Sequence, residues 1–298
     1  MAESNAVSGS EPIARAPAGT TAASLLTPTG PPVDGFVQLG KLHVEASIFD
    51  DFKKAQQYLA KSPEAVDQLY GLVHGRTEID VRPTRIGNDE FGARDGRPAI
   101  SWAPQGALLN TDGSQLTPAM GLLHEEGHAN RWLSDPAAFG RGAQPYPVGS
   151  ADARTWTTPE ERRNITGLEH RVGAALGEGR RDDHHGQPYT SRGPASIESE
   201  GHHRVAERIA ELKAQGTIVP PVGNDIHAVV AYDRRAHNGV FVDVGHGEVA
   251  QHIGRGEYMM YDVAKDLHGV TPPEGVNLDV TAQGRLGPAH EPALGQHR

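Results

Sequence analysis

The run His124-Glu125-Glu126-Gly127-His128 constrains this chain more than any other feature. Thr117-Pro118 supplies a helix start, a capping hydroxyl followed by a proline at the first turn, and Ser134-Asp135-Pro136 supplies a stop. Between them Met120, Leu123 and Trp132 accompany the histidines in an apolar stripe. Residues four apart share one helix face, so His124 and His128 project together, with Glu125 offset by about 100°. Two imidazoles on one face can bind a single Zn²⁺, and the neighbouring carboxylate reaches a water beside it. A polar group on a buried face without a partner costs on the order of 1–3 kcal/mol, so these histidines need one.

Composition narrows the metal chemistry. The 298 residues include no cysteine, which removes disulfides and thiolate sites and leaves His, Asp and Glu as ligands. A net charge of -10 argues against a nucleic-acid partner. No run of about 18 apolar residues exists, so no membrane span is expected. The first residues lack the basic region and apolar stretch of a secretory signal.

A third ligand is expected on a second helix. Thr158-Pro159 opens it, Ile165, Leu168 and Val172 form its apolar face, and it ends near Gly177. Glu161 stands four residues before Ile165 and seven before Leu168, so it points with them toward the core, whereas Glu160 aligns with Asn164 and Gly167 on the polar side. A carboxylate on a core face needs compensation, which a metal supplies. The competing reading is a capping box, Thr158-x-x-Glu161, in which the carboxylate returns to the helix start. Glu160 and Glu169 are alternative ligands. A helix-borne glutamate after a short H-E-x-x-H is the gluzincin type. The longer metzincin pattern needs a glycine at 131 and a histidine at 134, where this chain has Arg131 and Ser134.

The stretch from Leu122 to Tyr189 resembles the effector-type zinc peptidases of the NleD family. The matching runs are Leu122-Leu123-His124-Glu125-Glu126-Gly127-His128-Ala129, Glu160-Glu161-Arg162-Arg163-Asn164-Ile165-Thr166-Gly167-Leu168-Glu169, and Leu176-Gly177-Glu178-Gly179-Arg180-Arg181-Asp182-Asp183-His184-His185-Gly186. The resemblance implies a gluzincin fold, zinc, hydrolysis of a host protein, and delivery into a host cell by a non-classical bacterial secretion system. It also implies Glu125 as base and His124, His128 and a glutamate of the second helix as ligands. Family members tend to carry Arg-x-x-Tyr after the ligand helix; here Arg181 is followed by His184, with Tyr189 nearby. Arg181 would neutralise charge and His184 would donate to the oxyanion, completing a catalytic set of Glu125, Arg181 and His184.

Beyond Pro220-Pro221 and Gly223-Asn224 the chain becomes a series of short β-rich runs divided by glycines. Gly239-Val240-Phe241-Val242-Asp243-Val244, Val249-Ala250-Gln251-His252-Ile253-Gly254-Arg255-Gly256, Tyr261-Asp262, and Pro273-Glu274-Gly275 before Leu278-Asp279-Val280 resemble the KfrB domain of mobile-element proteins. That resemblance implies a docking module.

The expected fold is α+β: a gluzincin-like zinc peptidase domain over 36–216, a linker at 217–224 and a KfrB-like β domain over 225–285. Residues 1–35 are read as a disordered tail or export signal, and 286–298 as a second tail. The strand near Ala99 to Trp102 is expected to pair with an extended substrate. Two rival readings are a non-catalytic zinc-binding module, its site closed by His184 or His185, and a mobile-element toxin or handling protein.

Overall fold

A computed structural model describes residues 15–215, 228–232, 234–254 and 257–289. The linker residues Pro220-Pro221 and Gly223-Asn224, Arg255-Gly256, the first 14 residues and the tail from 290 lie outside these. The chain is α+β and divides into two compact units at Ile197/Glu198. Among the described residues no helix is long and apolar enough to cross a membrane.

In the first unit α1 (Ala22–Leu25) is followed by β1 (Phe36–Leu39) and β2 (Leu42–Glu45), then α2 (Phe49–Leu59) and α3 (Pro63–Val73). Strands β3 (Ile79–Pro83), β4 (Glu90–Arg94) and β5 (Arg97–Trp102) complete a sheet ordered β1-β2-β3-β5-β4. The β4–β5 hairpin turns on Asp95-Gly96, both left-handed (φ 53 and 76), the pairing a two-residue hairpin loop requires. Next come β6 (Gly106–Leu109), β7 (Gln115–Leu116), the long helix α4 (Pro118–Ser134) and α5 (Pro136–Gly142). The second helix of the site is built from α6 (Pro159–Asn164), a π-helical turn Ile165–Glu169 and α7 (His170–Leu176). A last strand, β8 (Gln187–Thr190), pairs with β6 on the side opposite β7.

Helix α4 is central because its whole surface is claimed. It packs on α2 and α3, on β4 and β5, and on the π-helical turn. Its residues from Pro118 to Asn130 are buried almost without exception. Phe52 and Leu59 of α2 and Leu69 and Leu72 of α3 are fully or almost fully buried in the same core, each contributing roughly 1.5–3 kcal/mol. The Trp102 indole N–H, at the end of β5, donates to Pro118 O at 2.8 Å and fixes the sheet to the helix start.

The second unit holds α8 (Glu200–Ala214), β9 (Ala228–Ala231), β10 (His237–Gly245), β11 (Glu248–Gly254), β12 (Glu257–Asp262), β13 (Asn277–Val280) and β14 (Leu286–Pro288). The sheet runs β14-β13-β10-β11-β12-β9, antiparallel except for the β12–β9 pair. Strand alternation sorts its apolar residues onto two faces. Val242, Val244, Ala250 and Tyr258 pack with α8, while Phe241, Val249, Met259 and Tyr261 form a core on the other side.

Several expectations are corrected. Residues 15–35 are not a disordered tail: Thr21 and Ser24 form a capping box and Ala22, Leu25 and Leu26 enter the core. The boundary expected at 216 falls at 197, because Val205, Ile209 and Leu212 of α8 bury against the β sheet. That helix is capped by Ser199. The β domain extends past 285 through β14. Strand β5 lies inside its sheet between β3 and β4, so its ladder positions are taken and the edge strand is β4.

Candidate metal centre

The site begins with the cap of α4. Thr117 Oγ1 accepts from Met120 N, and Glu178 in turn accepts from Thr117 N and Oγ1, both at 2.8 Å. With its start fixed, α4 presents His124 and His128 on one buried face. Their Nε2 atoms stand 3.0 Å apart. Glu161 Oε2 lies 2.9 Å from the first and 3.3 Å from the second. Ligand atoms 2.0–2.2 Å from a tetrahedral ion stand about 3.3–3.6 Å from one another, so these separations lie close to, and slightly inside, the spacing around one shared metal ion. His124, His128 and Glu161 are a buried group able to hold one.

Gly127 explains how Glu161 gets there. A glycine inside a helix costs roughly 1 kcal/mol relative to alanine. A Cβ at this position would lie 2.3 Å from Asn164 Oδ1 and 2.7 Å from Leu168 Cδ2. Its absence lets the second helix close on α4, where Asn164 Nδ2 donates to His124 O at 2.7 Å. Thr158 accepts from Glu161 N at 3.1 Å, so the threonine caps α6, but the Glu161 carboxylate goes to the histidines. Ligand geometry and cap thus coexist.

Both alternative ligands have other partners. Glu169 Oε2 is 3.1 Å from His124 Nδ1 and Glu160 Oε1 is 3.4 Å from His128 Nδ1. Each histidine can donate its Nδ1–H to a carboxylate, which fixes the tautomer and turns an Nε2 lone pair toward the metal position. The expectation that Glu160 lies on a polar face is wrong. It is buried under α5, with Gly142 against it, and is paired with Arg163. The π turn places Glu169: one extra residue per turn rotates it toward His124.

Burial would raise both Glu161 and Glu169. Hydrogen bonds from His124, His128 and His184 instead hold Glu161 far below the usual carboxylate range, and Arg181 with His124 holds Glu169 down at about 2. Both carboxylates are therefore held in their ionised form, Glu161 against the imidazoles and Glu169 against Arg181.

Arg181 and His184 both reach the site, in different ways. The Arg181 guanidinium is buried and donates to both oxygens of Glu169 at 2.8 Å. It neutralises the carboxylate behind His124, the charge-neutralising part expected of it directed at Glu169. His184 Nε2 is 3.2 Å from Glu161 Oε2, on the cavity wall. His185 Nε2 faces Arg154 O at 2.9 Å, away from the metal ligands. The Tyr189 hydroxyl donates to Ile197 O and accepts from Gln115, so the nearby phenol is occupied elsewhere.

A cavity of about 160 Å³ opens beside the ligands, lined by Glu125, His124, Arg181 and His184 together with Asp89, Leu108, Leu116, Met120 and Pro188. The sequence matches no protein-family model, no curated protein and no solved structure.

Three functional neighbours escaped the sequence reading. Asp89 comes from the loop before β4, and burial together with Glu125 pushes its carboxyl up to about 7. Glu178 joins the cap of α4 to the phenol of Tyr58. Glu126, fully buried and bonded to Gln56, is pushed up to about 8 by burial. No local pattern marks any of them, because each depends on a partner distant in the chain.

Proposed function

We propose that this chain is a zinc-dependent peptidase of the gluzincin type, similar to the NleD-type effectors, that hydrolyses a peptide bond in a protein substrate. The observation carrying this reading is the convergence of two imidazoles and one carboxylate, each imidazole backed by its own carboxylate, with Glu125 facing the adjoining cavity. The donors suit zinc: two histidines and a glutamate, no sulfur, leave a fourth position for substrate chemistry. Zn²⁺ held by His124, His128 and Glu161 would act as a Lewis acid and make water nucleophilic near neutral pH.

The chain's own residues supply the rest. Glu125, next to a ligand and not itself one, takes the proton of the attacking water and returns it to the leaving amine. His184, on the cavity wall beside Glu161, donates to the oxygen where charge develops. Arg181 and Glu169 hold the His124 ring in register. The exposed edge of β4, next in the chain after Asp89, offers backbone groups to an extended substrate. The KfrB-like sheet would serve as a docking module, and delivery into a host cell is the setting the family resemblance suggests.

The test is proteolysis of a degenerate peptide library by the zinc-loaded chain and by Glu125→Ala. New amino termini should arise with the wild type alone, the variant retaining its zinc and losing at least ~10²-fold in rate. Equal cleavage by both proteins, or by neither, contradicts the proposal.

A further inference from the structure

We infer that the cavity beside Glu125 is a side-chain pocket for a lysine or arginine of the substrate, with Asp89 as the acceptor for its cation; this rests on the peptidase reading. At about 160 Å³ the cavity holds one side chain; a cavity of ~150 Å³ takes a benzene-sized group. Leu108, Leu116, Met120 and Pro188 provide apolar walls for an aliphatic stem. Asp89 is the carboxyl group among these walls that neither pairs with an arginine nor belongs to the catalytic set. Its Oδ1 accepts the Ala103 N–H at 2.8 Å, which fixes the carboxylate and leaves Oδ2 for a ligand.

Helix α4 makes room for that oxygen. A Cβ at Gly121 would stand 2.9 Å from Asp89 Oδ2. Gly121 is four residues before Glu125, so the carboxylate lies over the turn preceding the base, on the same face. The groups acting on the Asp89 carboxyl are the Ala103 N–H, Glu125 and His124, with no lysine or arginine among them. Glu169, by contrast, is neutralised by Arg181. The Asp89 end of the apolar pocket thus holds a carboxyl with no basic side chain against it, and an alkyl cation placed there would favour its ionised form. A free α-ammonium group would lack the stem that the walls contact.

The probes are N-acetyl-lysine amide, N-acetyl-norleucine amide and norleucine amide with its free α-amine, titrated into the zinc-loaded full chain by ligand-observed NMR. The acetylated lysine should bind about ten- to hundredfold tighter than the acetylated norleucine, the range of a charge-assisted hydrogen bond. Asp89→Asn should erase that preference, since its amide oxygen still accepts from Ala103 N while the charge is gone. Gly121→Ala should reduce it without removing any charge. Equal binding of lysine and norleucine, no binding by any probe, or a preference that survives Asp89→Asn overturns the pocket. Tightest binding by norleucine amide would transfer the cation to the α-ammonium and overturn it too. Peptide cleavage separates the two claims: an Asp89-dependent lysine preference without cleavage of any peptide sinks the peptidase reading alone. Cleavage indifferent to basic residues sinks the pocket alone.

Discussion

Glu126 sits between His124 and His128 in sequence yet is buried against Gln56 of α2, and it makes the stability of the protein depend on pH. Its side chain is fully buried, Gln56 Nε2 donates to Oε1, and Oε2 has no partner among the described residues. Burial raises the carboxyl from 4.5 to about 8. Between those values the native state keeps a proton that the unfolded chain has released, so stability falls as pH rises through the window. From pH 4.5 to 7 the loss is about 3 kcal/mol, 2.5 pH units at roughly 1.4 kcal/mol each. Glu126→Gln removes the ionisation and keeps the oxygen that accepts from Gln56. Urea unfolding of the zinc-free protein and the variant at pH 5 and pH 7.5 isolates this effect, because every other titration is common to both. The variant should gain on the wild type by about 3 kcal/mol across that interval. A difference independent of pH would show that Glu126 is ionised in the native state and refute the reasoning.

Two further outcomes follow from the ligand geometry. Glu161→Gln should weaken zinc affinity far more than Glu160→Gln, which loses only the support behind His128, an effect of about 10- to 100-fold; competition with a chromogenic chelator compares them. His184→Ala should lower kcat by ~10²–10³-fold with zinc content unchanged. Loss of zinc along with activity would make His184 a ligand.

The legible part of the site was the part written in local periodicity. Four-residue spacing placed His124 and His128 together, and the alignment of Glu161 with Ile165 and Leu168 aimed it at the same point. Glu160 was misread because burial on α6 is decided by α5, which the Gly- and Pro-rich segment after Pro136 did not announce. Glu169 gained its place behind His124 through a π turn, a departure from 3.6-residue periodicity that the pattern does not encode. Asp89 entered through a loop that only the β4–β5 hairpin brings to α4, although the Asp95-Gly96 turn signal was present. The apolar face of α8, Val205, Ile209 and Leu212, fits either neighbour until the sheet is seen.

The central claim is that His124, His128 and Glu161 hold zinc with Glu125 outside the coordination sphere. Anomalous diffraction at the zinc edge from crystals of the zinc-loaded protein tests it most directly. One peak is expected about 2.0–2.2 Å from Nε2 of His124, Nε2 of His128 and a Glu161 oxygen. A peak coordinated by Glu160 or Glu169 in place of Glu161, or no ordered ion at this position, would contradict it.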